Sequence, residues 1–129
     1  MKTVKITTDN VVSVIDVDFN DFRSIQKAIG GYFETINTRK MYDYFKQPMM
    51  FLADEEGHLK RLPLNQLGSY FYDTERHGWP IAGDIILAVP DGEYILGLGD
   101  AEAMKIQLLN DFDFLEEEIS ADSDLMSSI

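Results

Sequence analysis

Residues 2–8 and 11–17 are rich in Val, Ile and Thr, partly alternate with polar positions, and flank Asp9-Asn10. Period-two alternation on either side of a tight polar turn predicts a β-hairpin. Asn20-Asp21 then offers a helix cap, because Phe22, Ile25 and Ile29 follow at helical spacing. Gly30-Gly31 ends that helix, since glycine accepts the left-handed cap without a steric penalty. Tyr32, Glu34 and Ile36 alternate with Phe33, Thr35 and Asn37, which predicts a strand over residues 32–37. Residues 38–48 mix polar and aromatic side chains and predict an excursion with a helical turn before Pro48.

The middle of the chain repeats the strand pattern. Residues 49–53 and 58–62 flank Asp54-Glu55-Glu56-Gly57, two apolar runs around an acidic glycine turn, and predict a second hairpin. Pro63 and Asn65 open a short helix carrying Leu67, Tyr70 and Phe71. Residues 73–79 read as a polar loop ending at Trp79-Pro80. Residues 85–89 form the most apolar run and predict a central strand; Pro90-Asp91-Gly92 turns the chain into a return strand over 93–98.

From Asp100 the period changes. Ala101, Met104, Leu108, Phe112, Leu115 and Ile119 recur every three or four residues, an apolar stripe that predicts an amphipathic helix over 100–119 capped by Asp100. The expected fold is α+β: a mostly antiparallel sheet with short helices and a C-terminal amphipathic acidic helix. Residues 1–99 make the sheet domain, 100–119 the acidic helix packed on it, and 120–129 a flexible tail.

Composition adds limits. The chain has 129 residues, 45% of them apolar, with eight Phe, six Tyr and one Trp, enough to build one core. Without cysteine there is no disulfide, thiol catalysis or cysteine-ligated metal. The apolar runs are too short to span a bilayer, and the N-terminal residues lack a signal-peptide pattern. These features suit a cytoplasmic protein.

Charge changes the picture most. There are 23 acids against 11 bases, a net of −12. Residues 1–99 hold 14 acids and 10 bases; residues 100–129 hold nine acids and only Lys105. A field of that sign repels nucleic acid and anionic lipid and favours a basic partner. Carboxylates near a helix C-terminus oppose its dipole by about 0.3–1 kcal/mol each, and Asp113 and Glu117 would add a like-charge i,i+4 clash. Burying Met104, Leu108, Phe112 and Leu115 offsets this at about 1.5–3 kcal/mol per side chain. The acidic run therefore serves either solubility or docking, and Asp111, Asp113, Glu116, Glu117 and Glu118 are the candidate partner-binding residues. Trp79, an aromatic in a polar loop, joins them as a candidate anchor.

Candidate catalytic chemistry is sparse. His58 and His77 show no spacing that pairs them with a carboxylate or a metal. Asp16-Val17-Asp18 and Asp111-Phe112-Asp113 lack the glycine and terminal glutamate of a calcium loop. Gly97-Leu98-Gly99-Asp100 lacks the third glycine and the lysine of a phosphate loop. Gly68-Ser69 falls within a helix rather than a nucleophile elbow. The expectation is a non-enzymatic protein without metal or cofactor.

Three stretches carry a resemblance: Gly30-Gly31-Tyr32-Phe33-Glu34, the run from Asp54 through Gly57, Lys60 and Pro63 to Asn65, and Pro80-Ile81-Ala82-Gly83-Asp84-Ile85-Ile86-Leu87. In order and spacing, over residues 25–99, the chain resembles the family called domain of unknown function 3846. That resemblance implies an accessory protein of a phage or mobile element in a bacterial host, and it brings no activity or catalytic residue. Together with the charge it leads to two expectations. The first is binding of a host protein with a basic surface, for counter-defence or by mimicry of DNA. The second is binding or sequestering of a nucleotide-type small molecule, which needs Arg23, Lys27, Arg39, Lys40, Lys60, Arg61 or Arg76 to converge.

Overall fold

A computed structural model of the chain describes residues 1–118. The flexible tail expected over 120–129, like Ile119, lies outside the described residues. The architecture is α+β, built on a mostly antiparallel seven-stranded sheet.

Strands β1 (Lys2–Ile6) and β2 (Val11–Asp16) form the first hairpin, in a register that pairs Lys2 with Asp16 and Ile6 with Val12. Helix α1 (Phe22–Ile29) starts where the Asp21 carboxylate accepts the Arg23 N–H, and stops at Gly30, whose φ of 97° is left-handed. Strand β3 (Phe33–Ile36) falls within the strand expected over 32–37, and the polar-aromatic excursion forms helix α2 (Arg39–Phe45), capped by Thr38. Then come β4 (Met50–Asp54), α3 (Gln66–Tyr72), a single turn α4 (Thr74–His77), β5 (Ile85–Asp91) and β6 (Tyr94–Leu96). Helix α5 (Ala101–Asp111) leads into a two-residue strand, β7 (Glu116–Glu117). The sheet order is β3-β4-β5-β1-β2-β7, with β6 paired to the far end of β5. All pairings are antiparallel except β2 with β7.

Alternation along the strands divides the core in two. Val4, Ile6, Val12, Phe51, Ala53, Ile85 and Leu87 face α2, α3 and α5, where Met41, Phe45, Phe71, Ala101 and Leu108 meet them. Leu52, Ile86 and Ala88 face the other way, against Ile25 and Ile29 of α1. Residues 85–89 are central, as their apolar run predicts: β5 lies between β4 and β1.

Two expectations are corrected. Residues 58–62 are not a strand. Both long edges of β4 are already occupied, by β3 and β5, so no ladder position remains for a hairpin partner. The chain instead winds into helical turns, with Lys60 N–H donating to the Glu56 carbonyl and Leu62 N–H to that of Gly57. Gly57 is required here: a Cβ would lie 2.5 Å from the Ala82 carbonyl oxygen, which is backbone and cannot move aside cheaply.

The second correction concerns the helix expected over 100–119, which ends at Asp111. Phe112 turns extended and packs its ring on Tyr44, Tyr70 and Phe71, and Phe114 packs on Phe112. Leu115 is buried, and the free edge of β2 then takes up the backbone. Glu116 N–H donates to the Asn10 carbonyl and Glu118 N–H to that of Val12. Continuing the helix would have stacked carboxylates against its negative end; the strand avoids this and keeps Leu115 in the core. The i,i+4 clash between Asp113 and Glu117 therefore does not arise.

Candidate functional site

The acidic segment is held in place. Phe112, Phe114 and Leu115 anchor it to the core, and two backbone hydrogen bonds tie it to the β1–β2 hairpin. Leu115 and Glu117 turn toward α5, where Glu117 accepts a hydrogen bond from Lys105 Nζ at 2.8 Å. Strand alternation sends Glu116 and Glu118 to the opposite face, and both are exposed. Asp113, exposed in the preceding turn, and Asp9, beside Asn10 in the hairpin turn, add to the same end of the sheet.

These carboxylates are not equivalent. Lys105 bridges Glu117 and Glu102, the latter at 3.1 Å, and both hold its ammonium above the usual lysine range. Asp111 accepts the Tyr44 hydroxyl at 2.7 Å. Burial, reinforced by that carboxylate, raises the Tyr44 phenol well above its ordinary value. Asp113, Glu116 and Glu118 enter no ion pair among the described residues. Of the five acids singled out from sequence, two are occupied internally and three present free negative charge.

Trp79 follows α4 and is 70% exposed. Its ring lies 6.1 Å from that of His58, and Leu59, next to His58, is 81% exposed. His58 Nε2 is 2.6 Å from the Pro80 carbonyl, joining this loop to the 58–62 turns. Among the described residues no ring contact or hydrogen bond links the Trp79 side chain to residues 111–118.

The three stretches that carry the resemblance converge on one hollow of about 230 Å³ beside Gly30, Asp54, Lys60, Pro63, Gly83 and Asp84. Asp54 is buried; it accepts the Glu56 N–H at 2.9 Å and Lys60 Nζ at 2.7 Å. That charge-assisted bond raises the Lys60 ammonium above its usual range. Asp84 accepts the Thr8 N–H at 3.0 Å and stands 3.6 Å from Lys5 Nζ. Asn65 is fully buried: its Nδ2 donates to the Ile6 and Gly83 carbonyls, and its Oδ1 accepts the Gly68 N–H at 2.8 Å. Each polar group here has its partner within the fold. No local signal in the sequence joins Asp54, Lys60 and Asp84 as a cluster, although all three lie within the resemblance motifs.

The basic residues that a bound nucleotide would need are spread over several elements, and three of them pair with carboxylates. Arg39 pairs with Asp43, Lys40 with Asp73 and over the Tyr70 ring, and Lys60 with Asp54. Arg23 and Lys27 lie on α1, Arg61 in the 58–62 turns, and Arg76 on α4. Among the described residues no three His, Asp or Glu side chains are grouped to hold a metal. His77 Nδ1 meets the Tyr72 carbonyl at 2.7 Å. Among the described residues no helix is long and apolar enough to cross a membrane.

A family model described as "Domain of unknown function (DUF3846)" matches residues 1–112, through β6 and α5. No curated protein and no solved structure matches the chain.

Proposed function

We propose that this chain, which belongs to the DUF3846 family, is a binding protein that docks a basic partner on the acidic segment Asp113–Glu118. One observation carries the reading: the segment is pinned by Phe112, Phe114, Leu115 and the β2 edge, while Asp113, Glu116 and Glu118 remain without counter-charge among the described residues. Charge added for solubility alone needs no fixed geometry, and a fixed array of like charges favours a complementary surface. The internal cost is small. Two strand carboxylates two residues apart sit about 7 Å from one another and repel by about 0.6 kcal/mol in water. Burial of Leu115 alone outweighs that, at about 1.5–3 kcal/mol.

The occurrence of the family in phages and mobile elements, as its resemblance implies, supports a host protein as the partner. A partner whose basic groove ordinarily takes nucleic acid is the sharper form of the proposal, and duplex DNA would then compete for it. Trp79 and Leu59 supply separate apolar area, so Trp79→Ala would weaken capture by an amount that salt does not change.

The test compares full-length protein with the triple variant Asp113→Asn, Glu116→Gln, Glu118→Gln in pull-downs from host lysate at low and physiological salt. All three side chains are exposed, so the variant should melt with the parent. Capture should fall steeply with salt for the parent and disappear for the variant. Equal capture of the same proteins, with the same salt response, would remove the acidic segment from the function.

A further inference from the structure

At the opposite edge of the sheet from β7, strand β3 has no outer neighbour among the described residues. Its pairing with β4 shows which groups are free. Glu55 N–H donates to the Tyr32 carbonyl, and Glu34 and Ile36 stand opposite Ala53 and Phe51. In an antiparallel pair successive residues point their backbone groups to alternate sides, so Tyr32, Glu34 and Ile36 address β4. Phe33 and Thr35 therefore direct their N–H and C=O groups away from the sheet, and no partner meets them among the described residues.

The surroundings are shaped for a particular kind of strand. Phe22 of α1 stacks on Phe33 at 6.0 Å between ring centroids, with Phe22 exposed, which leaves apolar area on one face. A hollow of about 290 Å³ lined by Asn37, Arg39, Tyr42, Pro48 and Met49 opens past the end of β3, large enough for a side chain. On the other face Glu34 lies near Glu55. Partial burial, and then the Glu55 carboxylate, hold the Glu34 carboxyl above its ordinary range. Neither acid has an ion-pair partner among the described residues.

We propose that the open edge of β3 receives an extended segment of a partner protein, with a Lys or Arg of that segment set against Glu34 and Glu55. Main-chain pairing to Phe33 and Thr35 supplies up to four hydrogen bonds, and the side-chain pattern supplies selectivity. The residue opposite Glu34 falls in a non-hydrogen-bonded pair, where side chains approach most closely and an opposite charge has most effect. A second copy of this chain is disfavoured. The antiparallel register that uses Phe33 and Thr35 of both copies puts Glu34 directly opposite Glu34. The net charge of −12 adds repulsion. The carboxylates thus deter self-pairing while attracting a basic strand, a selective form of edge protection.

The test uses full-length ¹⁵N-labelled protein and an end-blocked hexapeptide alternating lysine and valine. Binding should shift the Phe33 and Thr35 amides and slow their exchange about tenfold or more. The glutamate–valine counterpart should do neither. The lysine–valine peptide methylated at its amide nitrogens should also leave Phe33 and Thr35 unmoved, even where it still perturbs Glu116 and Glu118 by charge alone. This separates the β3 edge from the acidic segment. Thr35→Pro deletes an outward N–H that β4 does not use and should abolish the effect. Should that variant fail to fold, Glu34→Lys, an exposed change, gives the reading: about tenfold weaker lysine–valine binding and newly gained glutamate–valine binding. Unmoved Phe33 and Thr35 amides at millimolar peptide would overturn the proposal. So would equal shifts with the methylated peptide, or unchanged peptide preference in Glu34→Lys.

Discussion

Asn65→Ala is the substitution with the largest expected consequence for a single polar side chain. Asn65 is fully buried and makes three side-chain hydrogen bonds, two as donor at 3.1 and 3.0 Å and one as acceptor at 2.8 Å. These tie the end of β1, the 79–83 segment and the first turn of α3 to one another. Truncation removes the α3 cap, worth about 1 kcal/mol. It also leaves the Ile6 and Gly83 carbonyls buried without that donor, about 1–3 kcal/mol each. The sum is about 3–7 kcal/mol, a large part of the ~5–15 kcal/mol that holds a domain together. Urea unfolding followed by tryptophan fluorescence should show the midpoint falling by about 1.5–3.5 M, for an m-value near 2 kcal/mol/M. Asn65→Asp supplies the control, because it keeps the cap acceptor but turns a carboxylate toward two carbonyl oxygens. At neutral pH it should be at least as damaging as alanine. Its loss should shrink as the pH falls and the introduced carboxyl is protonated, regaining a donor. A loss under about 1 kcal/mol for Asn65→Ala would refute the reasoning. So would an aspartate variant milder than alanine at pH 7.

Three further outcomes follow from the same geometry. Gly57→Ala should destabilise by about 1–3 kcal/mol in the same unfolding assay, since its Cβ meets the Ala82 carbonyl oxygen at 2.5 Å. Leu115→Ala should cost about 2–5 kcal/mol or else release β7 alone, which faster amide exchange at Glu116 and Glu118 would report. The Tyr44 phenol is raised by burial and by Asp111, so the fold favours its neutral form. That contribution is complete below the unfolded tyrosine value of about 10 and is lost as pH rises through the folded value. The 295 nm difference spectrum between parent and Tyr44→Phe should therefore show no tyrosinate from Tyr44 at pH 11 while the protein remains folded.

How far the sequence specified this fold can be seen element by element. The β1–β2 hairpin, α1 with its Asp21 and Gly30 caps, the Asn65-capped helix and the central β5 each carry a local signal that agrees with the tertiary structure. The failures have a common cause. Residues 58–62 carry strand-like alternation, but β4 already has two neighbours, and that occupancy is a property of the whole sheet. Residues 112–117 keep a helical stripe through Leu115, yet the aromatic cluster of Tyr44, Tyr70 and Phe71 and the vacant edge of β2 offer a better place for the same apolar side chains. The acidic residues were legible as a group. Their division was not, because it depends on strand parity and on Lys105 and Tyr44 reaching across from α5 and α2.

That division bears on what an open sheet must solve when neither edge strand has an outer partner among the described residues. Unpaired edges invite association, and here each end of the strand order is marked by carboxylates: Glu34 on β3, and Glu116 with Glu118 at β7. Solubility would be served by acids placed anywhere on the surface. Placement on the edges acts specifically against pairing with another acidic chain, and a copy of this protein is the acidic chain met at the highest local concentration during synthesis. The same placement leaves both edges attractive to a basic one. Selection against self-association and selection for a basic partner therefore favour the same carboxylates, and only their response to substitution separates the two. Neutralising Glu34 should raise self-association at high protein concentration if protection is its main effect. Should sedimentation show the Glu34→Gln variant as monodisperse as the parent while a bound basic segment is lost, recognition is the larger role.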